Sequence, residues 1–209
     1  MQRKTTIFIV DDDPQVLEAV SHLVKPIDAQ LEAYSRADDF LAHFHDDGPA
    51  CLILDVRMPG MSGLELQSRL AQAGSQIPII IVTGHADVRM AVDAVKAGAT
   101  NFFEKPFRPQ ELFDEIQKTL RKDVENWRRR DEEQNVERKL SMLKVGEREV
   151  VDLIMDGKTN EEIASELQLS VRGVEARRAK AMRTLRVDSK AELVQLLRSA
   201  PAHKSEAIS

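Results

Sequence analysis

One cysteine, one tryptophan and no long apolar run bound what this chain of 209 residues is able to be. The lone Cys51 cannot close an internal disulfide, and its place at the head of an apolar run makes it a reduced, buried small hydrophobe. No apolar run approaches the roughly 18 residues that a membrane helix needs. Ile7-Phe8-Ile9-Val10 runs straight into Asp11-Asp12-Asp13, which is not the pattern of a signal peptide. The protein is therefore expected to be cytoplasmic, with no membrane partner. A glycine-rich phosphate loop is also missing, so a bound nucleotide is not required.

The length suits two small domains of about 100 residues each. The formal net charge of -5 is unevenly spread: residues 1–120 hold 11 Lys and Arg against 18 Asp and Glu, while residues 140–209 hold 12 against 11. An acidic surplus in the first part argues against nucleic acid as its partner and suits a cation site.

Apolar segments recur at nearly even spacing, at 7–10, 31–34, 51–54, 79–82 and 101–103. Stretches with helical spacing lie between them, such as Val16, Leu17, Val20, Leu23 and Val24, or Leu112, Phe113, Ile116 and Leu120. Pro14, Ser35 with Asp38 three residues on, and Pro109 mark helix starts. Alternation of this kind predicts a five-stranded parallel sheet covered on both faces, with right-handed crossovers.

Ligands of such a sheet sit beyond the carboxyl ends of its strands. In chain order those ends carry Asp11, Asp12 and Asp13, then Asp55, Thr83 and Lys105. A single strand-end Asp is commonly a helix cap, but this full set on one edge has a coherent chemistry. Three close carboxylates repel unless a hard divalent cation sits among them, and oxygen ligands without His or Cys favour Mg2+. A hydroxyl and an ammonium opposite them suit a phosphoryl group. Asp55 would be the nucleophile that forms an acyl phosphate, with Mg2+ and Lys105 neutralising the transferring oxygens.

On Val10-Asp11-Asp12, Leu54-Asp55-Val56-Arg57-Met58-Pro59-Gly60, Val82-Thr83-Gly84 and Lys105-Pro106-Phe107, residues 5–120 resemble the receiver domains of bacterial two-component response regulators. The resemblance implies a flavodoxin-like α/β fold and phosphorylation of Asp55 by a histidine kinase. It implies that Asp12, Asp55 and the backbone carbonyl of Arg57 hold Mg2+, with Asp11 acting largely through water. Lys105 would reach the phosphoryl oxygens, and the Lys105-Pro106 bond would be cis. Thr83 and Phe102 would form the switch, the hydroxyl swinging to the phosphate and the ring moving inward. The output surface would lie on residues 87–97, 100–104 and 110–120. No enzyme turnover is expected beyond hydrolysis of the protein's own acyl phosphate.

Residues 121–139 read as a helical linker, because Ile116, Leu120, Val124 and Trp127 continue one stripe. Arg128-Arg129-Arg130 within it, with acidic residues on both sides, reads as a solvated helix face. From Leu140 the pattern is wholly helical. Residues 147–155 end at Gly157, a C-cap signal, and Thr159 with Glu162 opens a short helix as a capping box. The turn Gln168-Leu169-Ser170 leads into Val171–Leu185, giving a helix-turn-helix. Spacings of four, three and four put Arg172, Ala176, Ala179 and Arg183 in one outer stripe, with Glu175, Arg177, Arg178 and Lys180 nearby. Small residues flanked by arginines suit a helix lying in the major groove of double-stranded DNA.

Residues 140–198 resemble the LuxR-type helix-turn-helix of the NarL/FixJ response regulators, on Glu147-Arg148-Glu149-Val150, Asn160-Glu161-Glu162-Ile163-Ala164, Val174-Glu175 and Ala191-Glu192-Leu193-Val194. The FixJ subgroup is nearest, through Thr83-Gly84-His85. The resemblance implies DNA reading by Val171–Leu185 and a homodimer contact by residues 189–198. This chain departs from the family at Lys144-Val145-Gly146, where Thr-Pro-Arg is common, and at Gly173, where Thr is common. Residues 199–209 carry no pattern and read as a disordered tail.

Two other readings compete. A phosphohydrolase of the haloacid-dehalogenase type would use Asp11-x-Asp13, but Pro14-Gln15 follows where Gly-Thr is needed. A receiver controlling a protein- or RNA-binding module draws on Gly173 and on the near-neutral charge of residues 140–209.

Overall fold

The computed structural model describes residues 4–84 and 94–198. The chain divides into two compact units, residues 1–127 and 128–209. The expectations for His85, for the output-surface residues 87–93 and for the tail 199–209 lie outside the described residues.

In the first unit, β1 (Thr6–Val10), β2 (Gln30–Tyr34), β3 (Ala50–Leu54), β4 (Ile79–Thr83) and β5 (Asn101–Glu104) form one sheet in the order β2-β1-β3-β4-β5. Every described pairing is parallel. Strands β3 and β4 are buried at every position, which is why they read as continuous apolar runs rather than alternating ones. One face of the sheet buries Phe8, Leu52, Leu54, Ile79 and Ile81 against Phe40, Leu66 and Leu70. The other buries Ile7, Ile9, Ile53, Ile80 and Cys51 against Val20, Leu112 and Ile116. Cys51 is fully buried, as expected, and burial pushes its thiol pKa up.

Helix α1 (Pro14–Val24) starts with Pro14 behind the N-cap Asp13, whose carboxylate accepts from Gln15 N at 2.8 Å. Helix α3 (Gly63–Gln72) is capped by the Ser62 side chain. The start of α2 (Ala37–His43) differs from the expectation at Ser35. Its N-cap is Arg36, with extended backbone and no side-chain cap. Asp38 and Asp39 in the first turn face the positive end of the helix dipole instead, and Asp38 pairs with Arg36 at 3.6 Å.

Helix α4 (Pro109–Ser141) begins at Pro109 and continues through the stretch read as linker. Leu112, Ile116 and Leu120 pack on the sheet, whereas Val136 and Leu140 belong to the core of the second unit. Asp123 is 4% exposed, and its carboxylate accepts from the backbone N–H of Ala50 at 2.9 Å, a bond spanning 73 residues of sequence. Residue 123 therefore holds the first residue of β3.

The second unit contains α5 (Val145–Met155), α6 (Asn160–Glu166), α7 (Val171–Leu185) and α8 (Lys190–Arg198). Its core is Val150, Ile154, Ile163, Val174, Ala181, Leu185 and Leu193, each at most 3% exposed, with Met182 packed at the margin. Helix α5 ends at Met155, followed by Gly157 at φ +80. The Thr159–Glu162 capping box opens α6. The turn into α7 places Gln168 in the left-handed region, at φ 54, and Ser170 caps α7 through Gly173 N. No described helix is long and apolar enough to cross a membrane.

Replacing Asp123 by Ala leaves the Ala50 N–H buried without an acceptor, so the first unit should lose about 1–3 kcal/mol of stability in urea unfolding. Asp123→Asn, which keeps an oxygen acceptor, should lose less.

Candidate phosphoacceptor and nucleic-acid sites

Sheet order reverses direction between β1 and β3, and both strands end in carboxylates at that point. Register places Val10 opposite Leu54, so Asp11 and Asp55 leave the sheet side by side. Asp55 N donates to Val10 O at 2.9 Å. Asp11 is 2% and Asp55 6% exposed, whereas Asp12 is exposed. One oxygen from each of Asp11, Asp12 and Asp55 lies within 4.8 Å of the others, the only such group among the described residues able to hold a metal ion. An all-oxygen set of this kind fits Mg2+.

Lys105 follows β5, with its N–H donating to Thr83 O at 2.8 Å and its peptide bond to Pro106 cis. Its Nζ donates to Asp11 Oδ2 at 2.6 Å and to Asp55 Oδ2 at 3.2 Å. Burial holds the Asp11 carboxyl above its ordinary value, against the opposing hydrogen bonds from Lys105 and Asp13 N. Burial works to lower the Lys105 pKa, but Asp11 and then Asp55 outweigh it, and the ammonium stays above its ordinary value. The Lys105 ammonium thus lies beside both the Asp11 and the Asp55 carboxylates.

Thr83 is 1% exposed, and its hydroxyl has no hydrogen-bond partner among the described residues. A buried orphan hydroxyl costs free energy that an incoming acceptor recovers. Phe102 is partly buried against the core beneath α3. Arg57 is exposed, with its N–H donating to Asp55 Oδ1 at 3.3 Å.

Gly63 is a site residue that the sequence reading left without a role. It donates to Val56 O at 2.9 Å, and a Cβ built on it would overlap the Asp55 carbonyl oxygen and stand 3.0 Å from Val56 Cα. Helix α3 reaches the loop after β3 only through a residue with no side chain. The signal was present as Ser62-Gly63, an N-cap followed by the smallest residue.

In the second unit, Arg172, Glu175, Ala176, Ala179, Lys180 and Arg183 are exposed on α7. Arg177 and Arg178 are half-buried. The outer stripe faces outward as its spacing predicts, but three of its basic neighbours also bond within the unit. Arg178 Nη1 lies 3.3 Å from Asn160 Oδ1, Lys180 Nζ 3.4 Å from Glu147 Oε1, and Arg177 Nη1 3.9 Å from Glu149 Oε2. Glu147 is 5% exposed and also accepts from Lys144 N at 3.1 Å. That backbone bond, with help from the Lys180 ammonium, lowers its pKa against the cost of burial.

These two sites define a signal-accepting domain joined to a helical nucleic-acid-reading domain. Residues 7–117 match the model of the response regulator receiver domain, and residues 143–197 match that of the bacterial regulatory proteins of the luxR family. The response regulator protein TodT of Pseudomonas putida is 40% identical over 93% of this chain and 86% of its own. The transcriptional regulatory protein FixJ of Azorhizobium caulinodans is 34% identical over 94% and 93%. Among solved structures, the response regulator StyR matches with a TM-score of 0.84 and 39% identity, covering 94% of this chain and 99% of its own. Full-length FixJ from B. japonicum matches with a TM-score of 0.56 and 32% identity, covering 95% and 98%. The chain belongs to the NarL/FixJ-type response regulators, transcriptional regulators with a receiver and a LuxR-type DNA-binding domain. That composition implies a histidine kinase and DNA as partners.

Gly63→Ala should cut phosphoryl uptake from a small phosphodonor at least tenfold, because the new methyl displaces the Asp55 backbone; Mg2+-dependent uptake by the purified chain checks this. Glu147 has a lowered pKa, so its contribution to stability is complete above its ordinary value of 4.5 and is lost as pH falls through the lower folded value. Glu147→Gln should therefore lower the Tm of the second unit at neutral pH, and the gap from the parent protein should close as pH falls below the ordinary carboxylate value.

Proposed function

We propose that Asp55 takes the phosphoryl group from a phosphohistidine of the kinase, its carboxylate oxygen forming the new P–O bond as the P–N bond to the imidazole breaks. The observation that carries this reading is the Lys105 ammonium 3.2 Å from an Asp55 carboxylate that is almost wholly buried at the sheet's switch point. Asp12, Asp55 and the Arg57 carbonyl would hold Mg2+, with Asp11 through water, and the bound ion would neutralise charge on the phosphoryl oxygens. Lys105 holds the opposite side of the group. The Thr83 hydroxyl supplies a donor that has no other described partner, and Phe102 moves inward into the space that Thr83 leaves. Water then hydrolyses the acyl phosphate and resets the receiver.

Phosphorylation biases a two-state equilibrium of the receiver by about 1–3 kcal/mol. The phosphorylated form assembles as a homodimer, and residues 189–198 extend the contact in the DNA-binding domain. In this scheme residues 1–120 are the receiver, 121–139 the helical linker and 140–198 the DNA-binding domain. Pairing two α7 helices raises affinity for two half-sites through effective concentration. Arg172, Arg178, Lys180 and Arg183 supply phosphate contacts with Arg177 beside them on the same helix, while Glu175, Ala176 and Ala179 face base edges. The product is regulation of transcription in the cytoplasm.

Selection from a pool of random duplexes tests this. With Mg2+ and beryllofluoride, which mimics phosphorylated Asp55, the protein should enrich a sequence of two half-sites, and Asp55→Asn should not. If the mimic alters the receiver but no duplex is enriched, the second domain serves a protein or RNA partner instead.

A further inference from the structure

Arg177 lies on the flank of α7 that turns toward α5, at an unusual place. A Cβ built on Gly146 would overlap Arg177 Nη1, stand 2.8 Å from its Cζ and 3.3 Å from its Nε. Nη1, Cζ and Nε of Arg177 therefore lie over the bare Cα of Gly146, with the Glu149 carboxylate at 3.9 Å along the same helix. A side chain at 146 takes that space and makes the flexible end of Arg177 move aside. A glycine on α5 thus leaves room for a planar cation from α7.

We propose that Gly146 is a seat for Arg177, and that Arg177 is a positioning residue that sets how α7 is presented rather than a phosphate contact. This refines the DNA-reading scheme above and rests on it. A guanidinium is planar and pre-organised, so holding it in place loses less freedom than holding a flexible ammonium would. Its charge is already engaged by Glu149, and it is half-buried. Arg172 and Arg183, on the exposed stripe, remain among the cations that reach phosphates. Presentation of the stripe, and with it the operator preference, then depends on a contact that touches no DNA.

Full-length protein with Mg2+ and beryllofluoride, titrated with its selected duplex at several salt concentrations, provides the test. Arg172→Ala should flatten the slope of log K against log salt by about 0.9. Arg177→Ala should weaken binding several-fold and leave the slope unchanged, and Arg177→Lys, which keeps the charge without the flat group, should behave like Arg177→Ala. A slope flattened by Arg177→Ala as much as by Arg172→Ala, with recovery by Arg177→Lys, would overturn the proposal. Calorimetry supplies a readout that needs no DNA, on the unfolding transition that beryllofluoride does not shift. The methyl of Gly146→Ala gains helix propensity in either background, so it should raise that Tm by about 2–4 °C more in the Arg177→Ala background than with Arg177 present. Equal shifts in the two backgrounds would sink the seat. If even the parent protein binds no duplex, the DNA-reading scheme fails, and this thermal cycle still decides whether Gly146 seats Arg177.

Discussion

Two carboxylates held out of water at the end of a sheet repel each other, and a single ammonium reconciles them. Asp11 and Asp55 end adjacent strands, and Lys105 bonds both. Burial raises the cost of every charge in the group, which is why the lysine has to be delivered by the backbone rather than by a mobile surface loop. Parallel register brings Asp11 and Asp55 together, and the bond from Lys105 N to Thr83 O anchors the lysine beside them. Gly63 lets α3 close on the same loop without pushing Asp55 aside. The same geometry leaves Thr83 with an unanswered hydroxyl, so the site is poised to gain a hydrogen bond when a negative group arrives.

The second unit solves a different problem, keeping a cationic helix ordered before it meets DNA. Its core is a compact set of aliphatic residues from four helices and the end of α4. Arginine and lysine side chains on an isolated helix would be free in solution, and ordering them on binding would cost entropy. Here Asn160, Glu147 and Glu149 hold Arg178, Lys180 and Arg177 along the flanks of α7. The outer stripe stays clear, and its small residues Ala176 and Ala179 leave room for close approach. Regulation follows from placing a phosphoryl-sensitive receiver and this reader in one chain.

Strand positions, strand ends and helix faces were legible because they are written in local periods. Apolar runs ending in Asp55, Thr83 and Lys105 announce buried parallel strands, and the stripe from Arg172 to Arg183 announces an exposed helix face. Motif resemblance then supplied the chemistry, since the same residues in the same order serve one reaction. The start of α2 was misread at Ser35 because an acidic residue in a first turn stabilises a helix with or without a side-chain cap.

What the sequence determined by itself was the kind of protein and the identity of its phosphoacceptor candidates, because both follow from spacing along the chain. Only the tertiary structure decided that Asp123 belongs to the receiver, that Gly63 abuts Asp55, and that Arg177 lies on Gly146. Each of these joins residues on different elements, most of them far apart in the chain, and contacts of that kind leave no period in the sequence. They arise when packed helices and strands bring a backbone group, a carboxylate or a bare Cα within reach.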